Sequence, residues 1–274
     1  MGTFDFMKMT EPGITAPAQI VGIIMLTAAA VSFFIHPYLT IALAFFYIVL
    51  CIAACFFPET NFLGPVISRG NTGGNFVAIT FDDGPAPPVT TQVLDLLDKY
   101  SMPATFFVTG ANAEQHPEII KEIIDRGHSV GNHSFHHDPF LMLKSSRVIY
   151  QEILTTQELL KKLGVQTLAF RPPVGIVNPG LASLLKKLKM DCIIFSCRAV
   201  DRGNRRVKHL SSKILKKVKA DDIILLHDVP PHRPQEREML SEEIENLLSG
   251  LQEKGLTVVP LSRLIGKKIM IEGD

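Results

Sequence analysis

No charged residue occurs between Glu11 and Glu59, and a charge-free run of that length does not suit the surface of a water-soluble domain. It divides at His36-Pro37 into two apolar segments, Ala18–Ile35 and Tyr38–Phe57. Each is close to the ~20 residues that cross a hydrocarbon core as a helix. A secretory signal peptide is about half as long and starts with a cationic stretch, whereas only Lys8 precedes this run. The pattern therefore reads as a membrane hairpin. One span with a buried or interfacial second segment is the alternative. The turn at His36-Pro37 carries no Lys or Arg, while Lys8 and Arg69 flank the hairpin. The positive-inside rule then puts both ends, and everything after them, in the cytoplasm of a bacterial inner or plasma membrane.

The hairpin also accounts for the mean hydropathy of +0.21, which is high for a soluble enzyme. The net charge of +1 provides no global field for nucleic acid, and no nucleic-acid partner is expected. Cys51 and Cys55 fall inside the second apolar segment. Cys192 and Cys197 share one strand-like run and form no disulfide framework.

The chain is thus expected to comprise a short N-terminal segment (1–17), a transmembrane hairpin (18–57), a Pro-, Gly- and Asn-rich linker (58–74) and a catalytic domain (75–274). From Asn75 onward, apolar runs alternate with amphipathic ones. Strands are expected at Phe76–Phe81, Ala104–Val108, His128–Gly131, Leu168–Phe170, Cys192–Ser196, Ile223–Leu226 and Thr257–Val259. Helices are expected at Val89–Tyr100, Pro117–Arg126, Arg147–Leu163, Gly180–Leu188, Leu210–Val218 and Glu236–Lys254. This βαβα rhythm implies an α/β fold with a mostly parallel sheet, closed or nearly closed into a barrel, and chemistry where strands end.

The chemistry-bearing residues fall at those strand ends. The first strand runs into Asp82-Asp83-Gly84-Pro85. Two adjacent carboxylates at a strand end need a compensating charge, which a metal ion supplies; an acidic Asp-Gly turn is the alternative. The third strand runs into His133-Ser134-Phe135-His136-His137. Its first and last histidines, with one oxygen of Asp83, make a two-His, one-carboxylate set that leaves metal positions open. Arg171-Pro172-Pro173-Val174 stiffens a loop where a backbone N–H can point at a developing oxyanion. Asp201 and His227 follow later strands.

In order and spacing, the segments T-F-D-D-G-P, H-S-F-H-H, R-P-P-V-G, C-R-A-V-D and L-L-H-D resemble the motif set of the polysaccharide deacetylase family (carbohydrate esterase family 4). The resemblance extends from about Asn75 to Leu264. It implies a distorted (β/α) barrel and one divalent metal: Zn2+ by preference, with Co2+, Ni2+ and Mn2+ as alternatives. It implies that Asp83, His133 and His137 are metal ligands and that Asp82 is the general base, paired with and kept ionised by Arg171. The Val174 N–H matches the oxyanion donor, His227 the general acid, and Asp201 the carboxylate that orients this histidine. The reaction implied is hydrolytic removal of an N-acyl group, expected to be acetyl, from an amino sugar.

Two departures bear on the substrate. Val174 stands where the family usually has an aromatic residue. Arg202 follows Asp201 where it usually has Trp, and the whole chain lacks Trp. Without stacking platforms and with a membrane anchor, an undecaprenyl-phosphate-linked amino sugar is the expected substrate, with bilayer lipids as partners of the hairpin. Peptidoglycan or another cell-surface glycan is the alternative, followed by a non-catalytic sugar-binding member. The cationic run Lys208, Lys213, Lys216, Lys217 and Lys219 reads either as a headgroup contact or as a solvated helix face.

Overall fold

The computed structural model describes residues 16–273. The N-terminal segment, with Lys8 on which part of the orientation argument rests, lies almost wholly outside the described residues. The chain enters through α1 (Pro17–Phe33) and α2 (Pro37–Phe56), each with proline in its first turn, where a missing N–H costs nothing. The two run back past each other. Thr40 Oγ1 donates to Ala29 O over 3.1 Å, and Tyr47 O–H donates to Ala18 O over 3.0 Å. Their outer faces expose Ile23, Ile24, Phe33, Phe45, Phe46 and Ile52. Among the described residues only Pro37–Cys55 (mean hydropathy 2.4) is long and apolar enough to cross a membrane alone, and α1 is shorter. The hairpin's base packs on the domain, with Ala18 and Ala54 in one cluster with Leu63, Leu141, Met142 and Val177.

Segment 58–74 is held along the domain. Ile67 bridges to Ile193, Arg69 pairs with Asp222 at 2.8 Å, and Thr72 Oγ1 donates to Asp221 Oδ1 over 2.6 Å.

Beyond it the strands are β1 (Phe76–Asp82), β2 (Ala104–Val108), β3 (Ser129–Asn132), β4 (Val165–Thr167), β5 (Ala169–Phe170), β6 (Asp191–Cys192), β7 (Cys197–Arg198), β8 (Ile223–His227), β9 (Thr257–Val258) and β10 (Met270–Glu272). The main sheet has the order β6-β5-β3-β2-β1-β8-β7, with β9 also pairing β1. Every pairing in it is parallel. The result is a curled, open half-barrel. Its register brings Asp82 beside Phe107 and His227, and Asn132 beside Val108 and Phe170, so the C-terminal ends of five strands come together.

Side-chain alternation divides each strand between two layers. Val77, Ile79 and Phe81 of β1 join the cluster formed with α3 (Val89–Lys99), α5 (Pro117–Asp125), α8 (Leu210–Leu215) and α9 (Arg237–Glu253). Ala78 faces the concave side with Phe107, Ile193 and Ile223. Thr80 and Asp82 share its parity, so a small residue and a hydroxyl leave room for a buried polar group beneath the carboxylate at the strand's C-terminal end.

The other helices are α4 (Gly110–Gln115), α6 (Ser146–Lys162), α7 (Leu181–Leu188) and α10 (Leu261–Ile265). Three features go beyond the sequence pattern: α4, α10, and an antiparallel pairing of β10 with β4. The expected single strand Cys192–Ser196 is instead broken into β6 and β7. Here the chain changes partners: Ile193 N donates to Phe170 O, Ile194 N to Ile67 O, and Ser196 N to Ile223 O, with distances of 2.9, 2.9 and 3.1 Å. The freed carbonyls of Ile193 and Ile194 accept from the Arg171 side chain.

Candidate active site

The strand ends meet at a cavity of about 560 Å3 lined by Asp82, Asp83, His133, His137, Val174 and His227, among others. Consecutive residues on a strand point to opposite sides, so Asp82 and Asp83 reach one cavity only if the chain turns between them. It does: Asp83 has φ +78°, a left-handed conformation that Asp tolerates better than most residues. Asn112 Nδ2 holds that turn by donating to Asp83 O over 2.7 Å. Gly84 follows where a Cβ would lie 2.0 Å from Asp228 Oδ2, so no other residue fits there without displacing a buried carboxyl.

The second turn of this kind is at His137, with φ +52°. It brings the His137 ring to 4.9 Å from that of His133, centroid to centroid. His137 Nε2 lies 3.2 Å and His133 Nε2 3.5 Å from Asp83 Oδ1. That oxygen is buried and has no hydrogen-bond partner. The Nδ1–H of His133 donates to Arg171 O over 2.7 Å, which leaves Nε2 as the free lone pair. One donor atom from each of the three residues lies within 4.8 Å of the others. An orphaned carboxylate oxygen facing two imidazole lone pairs fits one divalent cation. The electrostatics agree. Burial opposes charge on His133, but Asp82 and Asp83 pull its pKa up, so the place calls for a positive charge. Burial and the neighbouring His133 hold His137 down, as a neutral ligand requires. Burial would raise Asp83, but the three surrounding histidines outweigh it and hold the carboxyl well below the usual range. His136 is turned outward, its Nδ1 2.7 Å from Glu152 Oε1.

Arg171 is the largest fully buried side chain. Its guanidinium donates to Asp82 Oδ1 (2.6 Å), Thr80 Oγ1 (2.8 Å) and the carbonyls of Ile193 and Ile194, and stacks 4.0 Å above the Phe107 ring. Asp82 Oδ2, its other oxygen, lies 3.6 Å from His133 Nε2.

Opposite, His227 Nδ1 meets Asp201 Oδ2 at 2.7 Å, leaving its Nε2 4.0 Å from Asp83 Oδ2. Burial opposes protonation of His227, but Asp201 outweighs it and the pKa is pushed up to about 9. Asp201 is steadied by the Asn204 backbone N–H, 3.3 Å from its Oδ2. Val174 sits at φ +53° and Val200 at φ +60°. Both are β-branched and both are about half exposed on the cavity wall (48% and 50%). A β-branched residue in the left-handed region costs about 1–2 kcal/mol, so these two apolar surfaces are held at the rim against local preference.

All eight residues singled out from the sequence thus line this cavity or contact residues that do. Others were not assigned to the site. Arg198, Arg202 and Arg205 line the same cavity; in sequence Arg198 is only a letter of the C-R-A-V-D segment, Arg202 is read only as a departure from Trp, and Arg205 is not singled out. Asp228, next to His227, is wholly buried. It accepts from Gly84 N (3.1 Å) and Thr90 Oγ1 (2.7 Å), and burial pushes its carboxyl up to about 7. In sequence it is only the last residue of the L-L-H-D segment.

Residues 69–193 match the model of the family described as polysaccharide deacetylase. A peptidoglycan-N-acetylglucosamine deacetylase of Bacillus cereus is 33% identical over 194 residues, which cover 70% of this chain and 89% of that enzyme. A chitooligosaccharide deacetylase of Bradyrhizobium is 31% identical, with 70% of this chain and 92% of that enzyme covered. A peptidoglycan-N-acetylglucosamine deacetylase of Listeria monocytogenes is 32% identical over 76% of this chain, which spans only 42% of that longer protein. The solved structure of a peptidoglycan N-acetylglucosamine deacetylase superposes with a TM-score of 0.67 at 27% identity, covering 74% of this chain and 94% of that one.

Proposed function

The chain belongs to the polysaccharide deacetylase family, and from that premise we propose how its residues carry out the reaction and where they meet the substrate. As a family member it is a carbohydrate N-deacetylase of the peptidoglycan or chitooligosaccharide type, hydrolysing the N-acetyl amide of amino sugars. Deacetylases of this family are metal-dependent. Here Asp83, His133 and His137 would hold the ion, with zinc the best match to a two-His, one-carboxylate set. A divalent cation there supplies Lewis-acid polarisation of the acyl oxygen and of water.

The remaining steps fall to the chain's own groups. Asp82, fixed by Arg171, takes a proton from water as the water oxygen bonds to the acyl carbon. The Val174 N–H is assigned to the charge that develops on the acyl oxygen. His227, charged at neutral pH, gives its Nε2 proton to the nitrogen as the C–N bond breaks, releasing acetate and the free amine. Asp201 keeps His227 oriented. The observation carrying this reading is the Asp83 oxygen, buried without a partner between two imidazoles. Acetate release from N-acetylated sugars by the full chain, abolished by chelation and restored by a divalent ion, tests it.

A second observation favours a substrate presented at a membrane, with the hairpin as anchor and the domain on the cytoplasmic side. The hairpin's base and the loop after β3 share one apolar cluster through Leu141 and Met142. That loop exposes Phe140 (66%) and Leu143 (83%), and its Pro139 lines the cavity beside Val174 and Val200. Apolar loops at the level where the hairpin leaves the domain suit the bilayer interface, and so a lipid-linked amino sugar. Acetate release in nanodiscs from a polyprenyl-phosphate-linked N-acetylglucosamine should exceed that from a soluble chitooligosaccharide. Phe140→Ser with Leu143→Ser should cut only the former, by about tenfold. Equal or faster turnover of the oligosaccharide returns the substrate to the polymers named for the relatives.

A further inference from the structure

The acidic groups of the site already have partners: Asp82 has Arg171, Asp201 has His227, and Asp83 belongs to the metal ligands. Yet the same cavity is lined by three further arginines, Arg198, Arg202 and Arg205. All three are solvent-exposed, and among the described residues none forms an ion pair. Arg198 lies over the Phe195 ring at 5.0 Å, which orients its guanidinium while leaving its donors free. Arg202 is in the left-handed region at φ +58°, as are Val200 and Asn204 at alternate positions. Asn204 pins this loop from beneath, with Nδ2 donating to His227 O (2.8 Å) and Val229 O (2.7 Å). Arg198 therefore projects from β7, which pairs with the strand that carries His227, and Arg202 and Arg205 project from the loop tied directly to that strand.

Three like charges on one wall repel one another, and among the described residues no acidic side chain pairs with them. The geometry points to a phosphate group of the substrate as the missing partner. The substrate class is then an N-acyl amino sugar carrying a phosphate ester, whose charged oxygens suit several guanidinium forks better than a single carboxylate does. This rests on the deacetylase reading and adds the group by which the sugar is held. It also replaces the stacking platform that the chain lacks, using charge where an aromatic ring would otherwise bind the sugar face.

The test compares the full chain with an Arg202→Gln/Arg205→Gln variant on four substrates: N-acetylglucosamine 1-phosphate, a polyprenyl-phosphate-linked N-acetylglucosamine in nanodiscs, neutral N-acetylchitotriose, and a disaccharide containing N-acetylmuramic acid, whose only charge is a carboxylate. The expected result is a ratio of kcat/KM for phosphorylated over neutral substrate that falls about tenfold or more in the variant, through KM rather than kcat. A loss on the soluble ester alone identifies a free sugar phosphate as the source, and a loss on the polyprenyl substrate alone identifies the lipid. An unchanged ratio overturns the proposal while leaving deacetylation intact, as does an N-acetylmuramic acid disaccharide losing as much as the phosphate substrates. Should the wild-type chain deacetylate none of these, the deacetylase reading itself fails. Calorimetric binding of inorganic phosphate to the chelated full chain then still decides the arginine site. Binding that weakens about tenfold in the variant upholds it, and equal or no binding overturns it.

Discussion

Arg171 donates to Asp82 over 2.6 Å from a position with no exposed surface, and the same guanidinium bonds the carbonyls of Ile193 and Ile194. One side chain thus fixes the assigned base and fills the place where the strand 192–196 breaks. Burying the pair costs solvation that the hydrogen bonds and the Phe107 ring offset. Arg171→Leu leaves the Asp82 charge buried and unpaired, and should lower unfolding free energy by about 3–5 kcal/mol in urea denaturation. Adding Asp82→Leu should recover part of that loss; a double variant less stable than Arg171→Leu alone would contradict this account of the pair.

Metal content separates the three neighbouring histidines. His133→Ala and His137→Ala should each purify without the divalent ion and without activity, since each removes one of the three proposed protein ligands. His136→Ala should keep both, because its ring faces Glu152. A metal-free His136→Ala protein would show the ligand set to be wrong.

The two adjacent carboxylates should fail differently. Asp82→Asn should retain the ion and lose turnover by ~10²–10⁴, the usual range for a general base. Asp83→Asn should lose the ion first. Metal analysis beside rate measurement checks this, and a loaded Asp83→Asn with an empty Asp82→Asn would exchange the roles.

Asp201 should set the alkaline limit of activity. Its charge holds His227 protonated up to about pH 9. Asp201→Asn removes that support, so the basic limb of the pH–rate profile should move toward neutrality, with metal content unchanged. An unmoved basic limb would mean that another group is the acid.

Asp228 should couple stability to pH. Its folded-state pKa of about 7 lies above the ~3.9 of an unfolded Asp, so its contribution is complete below that lower value and is lost as pH rises through 7. Unfolding free energy should therefore decline from about pH 4 to 7 on account of this group. Asp228→Asn, which keeps an acceptor for Gly84 N, should remove that part of the slope. Identical slopes in the two proteins would place the titration elsewhere.

How much of this was legible in the sequence follows from the range of each interaction. Strand and helix periods are local, so most elements, the family's motifs and the eight candidate residues could be read from the chain. The apolar character of 18–57 was legible for the same reason, because exclusion of charge needs no partner to be recognised, although only Pro37–Cys55 among the described residues is long enough to cross a membrane. Three things were decided only by tertiary contacts. Asp82 and Asp83 share a cavity through a left-handed turn held by Asn112, far along the chain. The strand after Asp191 breaks because Phe170, Ile67 and Ile223 take its amides in succession, while Arg171 takes two of its carbonyls. That the arginines at 198, 202 and 205 face one cavity is decided only by folding, which gives the carboxylates of the site other partners and leaves these cations on the same wall. A residue's type sets what it can bind, but whether its charge is already satisfied depends on groups that are remote in sequence and close in space.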